Sequence, residues 1–350
     1  MTRLAPAPRP TAAGERLHPL PATDPIARLP LVVLSLNQRC NCRCAMCDIW
    51  QSRDREELLA TDVARRLPEW RQLGVERAVL TGGEPLLARE VWPIAALLHE
   101  AGIGITLLTT GLLLERDAGP VARLVDDVIV SLDGPPEVHD RIRNVPRAFA
   151  RLAEGVAAVR AEAPGIALSG RSTVQRANFR HLRGTVAAAH ALGLGRLSFL
   201  AADVSSEAFH RPGGGSAERI ADVALAPEDL PDLAAELAAL EAEHAADFST
   251  GFLAESPEKL ARRIYQYFAA VAGQGDFPPV ACNAPWVSAV LEAGGTVRPC
   301  FFQPAYAAAD GGFRDRLNAP TAIAWRRSLD MAKNPTCRRC VCSLELRAAP

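Results

Sequence analysis

The sequence predicts an α/β fold in which parallel strands alternate with helices, as a barrel-like or doubly wound sheet, followed by a smaller cysteine-bearing unit. Three observations carry this. Short apolar runs alternate with helical periods from residue 31 to residue 203, and polar or glycine-rich stretches fall at the carboxyl end of the runs. All nine cysteines lie in two groups, at 40–47 and 282–342.

The run "LVVLSLN" (31–37) reads as a buried strand, being short, apolar and bounded by polar residues. "ATDVARRLPEWRQLG" (60–74) reads as a helix, with Thr61 or Asp62 as its cap and Gly74 as its stop. The series continues with the strand "RAVLTGG" (77–83), the helix "VWPIAALLHEAG" (91–102), the strand "GITLLTTG" (104–111) and a short helix, "AGPVARLV" (118–125). Then come the strand "DVIVSLDG" (127–134), the helix "AFARLAEGVAAVRAEAP" (148–164) and the strand "GIALSGRSTV" (165–174). "RGTVAAAHALG" (183–193) is the last helix and "RLSFLAAD" (196–203) the sixth strand. Such alternation implies parallel strands joined by right-handed crossovers. In folds of this kind the chemistry gathers where the strands end. The triglycine loop at 205–224 reads either as a mobile lid or as a surface insertion. Helical segments at 227–248 and 256–273 lead to the second cysteine group.

A chain of 350 residues, 49% hydrophobic, can bury one large domain or a large and a small one. Its 39 basic and 40 acidic residues nearly cancel, so no overall field favours a nucleic acid. Residues 1–30 hold seven prolines and no apolar core of a signal peptide, and are expected to form a flexible arm. No stretch reaches the eighteen apolar residues of a membrane span, so a soluble, cytoplasmic protein without a membrane partner is expected.

"RCNCRCAMCDIW" (39–50) crowds Cys40, Cys42, Cys44 and Cys47 onto one loop. An odd total, crowded spacing and no export signal argue for metal ligation and against disulfides. Cys40, Cys44 and Cys47 are spaced C-x3-C-x2-C, and three thiolates would leave one iron of a cubane cluster open to a small molecule. Cys42 keeps a four-cysteine zinc or ferredoxin-like site open as an alternative.

With "GGEP" (82–85) after the second strand, this loop resembles the radical S-adenosylmethionine superfamily. The resemblance implies a partial (β/α)6 TIM-like barrel over residues 31–224, a helical connection over 225–275 and a small auxiliary cluster domain over 276–350. It implies that Cys40, Cys44 and Cys47 ligate a [4Fe-4S] cluster whose open iron binds S-adenosylmethionine, with Gly82, Gly83, Glu84 and Pro85 holding the methionine amino group. "SLDG" and "HDRIRN" (139–144) resemble the segment that approaches ribose, substrate and methionine carboxylate, which implies cofactor roles for Ser131 and Arg143 and a catalytic one for Asp133. "STVQRAN" (172–178) resembles the fifth-strand segment and brings in Ser172. Thr110 stands where the family usually has asparagine, and Met46 where an aromatic is common. Both are carried as cofactor contacts.

Cys282, Gly295, Cys300 and the later "CRRCVC" resemble the shorter, twitch form of the superfamily's SPASM-like auxiliary domains. This implies a second [4Fe-4S] cluster on Cys282, Cys300, Cys337 and Cys340, with Cys342 as substitute; a structural zinc site is the alternative. The shared chemistry is reductive cleavage of S-adenosylmethionine to a 5′-deoxyadenosyl radical that abstracts hydrogen. An auxiliary cluster with four thiolates would accept an electron, making the net reaction an oxidation. The implied partners are a peptide or small-metabolite substrate and an external electron donor such as a flavodoxin or ferredoxin. Relatives that modify ribosomal peptides often carry a fused peptide-binding domain ahead of the barrel, and only thirty residues precede the first strand here, which weakens the peptide expectation. A non-catalytic iron-sulfur electron carrier and a zinc-stapled binding protein are the competing classes.

Overall fold

The computed structural model describes residues 22–307 and 311–347. Its strands are β1 (Leu31–Ser35), β2 (Arg77–Thr81), β3 (Gly104–Thr109), β4 (Asp127–Ser131), β5 (Ala167–Val174) and β6 (Arg196–Ala201). Between them run α1 (Ala60–Gln72), α2 (Val91–Glu100), α3 (Leu114–Leu124), α4 (Pro136–Arg143), α5 (Ala148–Glu162) and α6 (Leu182–Ala191). Alternate strand residues, among them Val32, Leu34, Ala78, Leu80, Val128 and Val130, are fully buried in the main core. α1 meets that core with Val63, Leu67 and Trp70, a single helical stripe.

Two helices differ from expectation. The third begins at Leu114, four residues before the predicted 118, because Leu114, Ala118 and Val121 form a buried stripe that outweighs the hydrogen bond lost at Pro120. α4 lies in a stretch to which the sequence pattern assigns no element. Its opening Pro136 is tolerated at the first helical position, Val138, His139, Ile142 and Arg143 are buried, and Asn144 ends it with a φ of 52°.

The sheet does not stop at six strands. Its order is β6-β5-β4-β3-β2-β1-β7-β8, an open sheet in which β7 (Ser288–Glu292) pairs in parallel with β1 and β8 (Val297–Arg298) antiparallel with β7. The C-terminal hairpin is therefore continuous with the sheet of the first six strands. Gly294 and Gly295 make its turn with φ of 72° and 80°, values that favour glycine.

Near the amino ends of the strands Arg77 ties β2 to β3 and β4, its Nη1 donating to Asp127 Oδ2 at 2.6 Å and to Thr106 Oγ1 at 3.1 Å. The helical region beyond β6 comprises α7 (Ala217–Val223), α8 (Leu230–Glu243), α9 (Ala245–Thr250), α10 (Pro257–Leu260), a π-helical turn (Ala261–Tyr265) and α11 (Gln266–Val271). α12 (Ala284–Val287), α13 (Phe313–Leu317), α14 (Pro320–Ser328) and α15 (Pro335–Arg338) complete the chain.

The flexible arm expected over residues 1–30 is corrected for its last nine residues; residues 1–21 lie outside the described ones. Ile26 and Leu29 are buried, and the Ile26 backbone exchanges hydrogen bonds of 2.7 and 3.0 Å with the Asn318 side chain. Asp24 neutralises the buried Arg326 at 2.5 Å, so the segment is fixed by charge as well as by apolar contact. Among the described residues no helix is long and apolar enough to cross a membrane.

Candidate functional site at the carboxyl rim

The loop after β1 folds its four cysteines into an apolar pocket with Leu112, Ala148, Val145 and Met46. Cys42 lies between two of the others and its thiol hydrogen-bonds both Cys40 and Cys44. Those bonds, which outweigh burial, lower Cys40 and bring Cys44 down to about 7, with Arg143 helping the latter. The same bonds raise Cys42, while burial pushes Cys47 up to about 12. Among the described residues no group of three or more His, Cys, Asp or Glu side chains forms a ready-made metal site. The chemistry of the donor set nevertheless fits an iron-sulfur cluster: soft thiols in an apolar surround, with Asn41 Nδ2 and Arg143 Nε buried and unpartnered beside them.

The GGEP stretch presses against the start of this loop. A Cβ at Gly82 would stand 2.5 Å from the Asn37 carbonyl oxygen, and one at Gly83 would stand 2.2 Å from that of Arg39. The Gly83 and Glu84 amides donate to those same carbonyls at 2.8 and 2.7 Å. The glycines are thus required by the packing of one loop on another, before any ligand is considered. Gly83→Ala is expected to cost about 1–3 kcal/mol, and to lower iron retention by displacing the cysteine loop; a chemical melt and an iron assay of the variant check both.

Glu84 is fully buried and already engaged. Its carboxylate accepts from Leu86 N at 3.1 Å, Thr109 Oγ1 at 2.7 Å and Thr110 N at 2.7 Å. Burial raises its pKa against these bonds. The side chain clamps the end of β3 to the GGEP turn, and Thr110 Oγ1 goes on to Asn41 Oδ1 at 3.1 Å. Pro85, also buried, opens the short turn that follows.

The "SLDG" and "HDRIRN" stretches pair with each other. Arg143 Nη2 lies 2.6 Å from Asp133 Oδ2, and its Nη1 donates to Cys44 Sγ at 3.6 Å. Burial opposes the Arg143 charge, yet Asp133, Cys44 and Cys42 outweigh it and hold its pKa above the ordinary value. Asp133 also accepts from Thr173 N at 2.9 Å, and its own amide donates to His139 Nδ1 at 3.2 Å. Burial, with Arg143 second, brings His139 down to about 3, so it is a neutral acceptor there. Asn178 donates to the Asp133 carbonyl at 2.9 Å. Ser131 closes β4 opposite Arg171, on the half-buried face of the sheet. Ser172 does not join it. Strand alternation puts Ser172 on the face that carries Leu168 and Val174 into the core, while its half-buried neighbours Arg171 and Thr173 share the face of Ser131.

The 205–224 loop is shorter than read, since α7 occupies its second half, and it is tied down. Arg211 is buried against Asp203, Asp48 N donates to the Phe209 carbonyl at 3.1 Å, and Arg219 pairs with Asp48 at 2.5 Å. Phe209 and His210 both hold positive φ, 62° and 61°, a strained pair of non-glycine residues. Phe209 packs on Phe301 and Phe302, with ring centres 5.1 and 5.9 Å away. These rings wall a cavity of about 750 Å³ that runs from Asn37, Gln38 and Gly82 to Gln303 and Thr336.

Chain neighbours of the later cysteines line this cavity: Phe301 and Phe302 follow Cys300, and Thr336 precedes Cys337. Cys300 feels Cys282 and Cys337, Cys340 feels Cys342, Cys282 and Cys300, and burial pushes Cys300 up to about 11. Gln303, buried, donates to Cys337 Sγ at 3.2 Å and to Asn334 Oδ1 at 3.0 Å. Asn283 clips the tail back beside Cys282, its amide exchanging bonds with the Leu346 backbone at 2.8 and 2.9 Å. Sequence reasoning missed Asn37, Asn41, His139, Arg219 and Gln303. Asn41 and His139 lie inside quoted motifs but carried no role there, and Asn37, Arg219 and Gln303 belong to no spacing pattern; all are recognisable by what they are folded against.

The family model of the radical SAM superfamily matches residues 34–172. A PqqA peptide cyclase of Ruegeria pomeroyi is 31% identical over 280 residues, covering 77% of this chain and 67% of its own. The chain belongs to the radical SAM superfamily. An Fe-coproporphyrin III synthase of Methanosarcina barkeri is 29% identical over 158 residues, 44% of this chain, and the chain spans only 39% of that protein. The superfamily's partial-barrel fold is shared with Streptococcus suis SuiB bound to its precursor peptide SuiA, at a TM-score of 0.61 and 14% identity over 91% of this chain and 71% of that one. Membership implies a [4Fe-4S] cluster and S-adenosylmethionine, and the rim described above is where this chain offers thiols for them.

Proposed function

We propose that this chain is a radical S-adenosylmethionine enzyme acting on a peptide segment held in the cavity between its two cysteine groups. The observation that carries the reading is the rim itself: the cysteine triplet, the GGEP turn and the Asp133–Arg143 pair converge there through direct contacts. Cys40, Cys44 and Cys47 would ligate the cluster, and the backbone of Gly82–Pro85 would offer acceptors to the methionine ammonium. When bound, cluster and S-adenosylmethionine would supply a 5′-deoxyadenosyl radical for hydrogen abstraction.

The chain's own residues prepare this. Arg143 neutralises thiolate charge at Cys44 while Asp133 fixes its direction. Met46 and Leu112 keep water from the thiols. The phenyl rings of Phe209, Phe301 and Phe302 give the cavity an apolar wall suited to a peptide side chain. The similarity to a peptide cyclase over 77% of this chain supports a peptide over a small metabolite. Cys282, Cys300, Cys337 and Cys340, with Cys342 as substitute, would hold a second [4Fe-4S] cluster, and the net reaction would be an oxidation. A flavodoxin or ferredoxin would deliver electrons.

Anaerobically reconstituted protein, reduced with dithionite and given S-adenosylmethionine, should release 5′-deoxyadenosine and methionine. A protein that retains zinc and no iron would overturn the reading in favour of a binding protein. Iron without cleavage would leave an electron carrier. Cys42 is out of the triplet's spacing and between its neighbours, so Cys42→Ser should keep the cluster's absorbance and at least half of the cleavage rate. Loss of the cluster in that variant would indicate a closed, four-thiolate site.

A further inference from the structure

Arg263 is a half-buried cation whose Nη1 is fully buried, with no carboxylate partner among the described residues. It sits in the π-helical turn, a form that inserts an extra residue into a helix and is frequent at functional sites. Its neighbour Arg262 is exposed, whereas Arg263 is turned inward. Nη2 donates to Ser343 Oγ, and Nη1 is buried with no hydrogen-bond partner. Among the described residues no carboxylate pairs with it. Among the groups within its electrostatic reach are the thiols of Cys340, Cys342 and Cys282, which would become anionic as cluster ligands. Burying an unpaired cation is costly unless the site supplies charge.

We infer that Arg263 is a charge-positioning residue for the auxiliary iron-sulfur site, donating from Nη1 to a sulfur of that cluster and favouring its reduced state. The inference rests on the proposed second cluster. Reduction adds one electron to a cluster already made anionic by four thiolates, and hydrogen bonds to sulfur together with local charge set the potential. A neighbouring guanidinium therefore moves the couple toward acceptance. Ser343 fixes the fork from the other side, on the same tail segment as Cys340 and Cys342. Lys at this position would retain the charge and lose the fork.

The experiment compares full-length, anaerobically reconstituted wild type with Arg263→Met and Arg263→Lys, by iron content and by potentiometric titration of both clusters followed by paramagnetic resonance. All three should hold about eight irons. In Arg263→Met the equilibrium constant for reducing the auxiliary cluster should fall about tenfold, a shift of about 59 mV to lower potential for a one-electron couple. Arg263→Lys should recover more than half of that shift, and the first cluster's potential should stay put in every variant. Loss of the second cluster's irons in Arg263→Met but not in Arg263→Lys would also support the inference, since only the charge separates the two. An unchanged potential in Arg263→Met with iron retained would overturn it, as would loss of iron in both variants, which marks a packing role. A wild type with only four irons would remove the second-cluster reading itself, whatever the variants do.

Discussion

Replacing Cys40, Cys44 and Cys47 together by alanine is expected to halve the iron of reconstituted protein, from about eight to about four atoms per chain, and to abolish formation of 5′-deoxyadenosine. Among the described residues that pocket offers, besides these thiols, only Cys42 and the weak Met46 thioether as sulfur donors, and the surrounding Leu112, Ala148 and Val145 offer no substitute ligand. The fold should persist. Alanine fills less volume but leaves no unpaired charge, and the loop is anchored by backbone bonds from Gly83 and Glu84 and by Arg43 N to the Arg143 carbonyl at 3.0 Å. Iron analysis and product chromatography on the same sample check it. Undiminished deoxyadenosine would show that the triplet is not the site of cleavage.

The second large effect is expected from Cys337→Ala, Cys340→Ala and Cys342→Ala in one chain. If the auxiliary cluster only takes an electron after hydrogen abstraction, this variant should cleave S-adenosylmethionine under chemical reductant at a rate within about twofold of wild type and yield no modified peptide. All three must change because Cys342 could replace Cys340. The choice of these residues over Cys282 and Cys300 follows from the sheet. β7 and β8 lie between that pair and β7 is paired with β1 along its length, so disturbing it would reach the first cluster's strand. Residues 337–342 follow the hairpin and sit on a tail fastened separately by Asn283. Normal product from the triple variant would exclude an electron-accepting role.

The six parallel strands were legible because each is a short apolar run followed by a polar stretch, and the rim followed from where those stretches lie. β7 was not. "SAVLE" is five residues long, and its partner β1 lies far back in the chain, so nothing local records the pairing. α4 was hidden by its double proline and its charged residues, which mask a helical stripe until Val138 and Ile142 are seen to be buried. Within the site, motif positions were found but their contacts were not. Gly82 and Gly83 make room for the Asn37–Arg39 backbone, and Glu84 is a brace between β2 and β3. Ser172 is one residue out of phase, since on a strand a single step moves a side chain to the opposite face. Arg263 carried no motif at all; its meaning depends on a π turn that composition does not announce.

The most direct test of the central claim is paramagnetic resonance of the Cys337→Ala, Cys340→Ala, Cys342→Ala variant, reduced anaerobically and recorded with and without S-adenosylmethionine. Only the first cluster remains in that chain. If Cys40, Cys44 and Cys47 leave one iron open, the signal should change its g-values when S-adenosylmethionine is added, because the ligand binds that iron, and Cys42→Ser introduced into the same background should behave alike. A spectrum that is identical with and without S-adenosylmethionine would show a closed cluster, and would contradict the account.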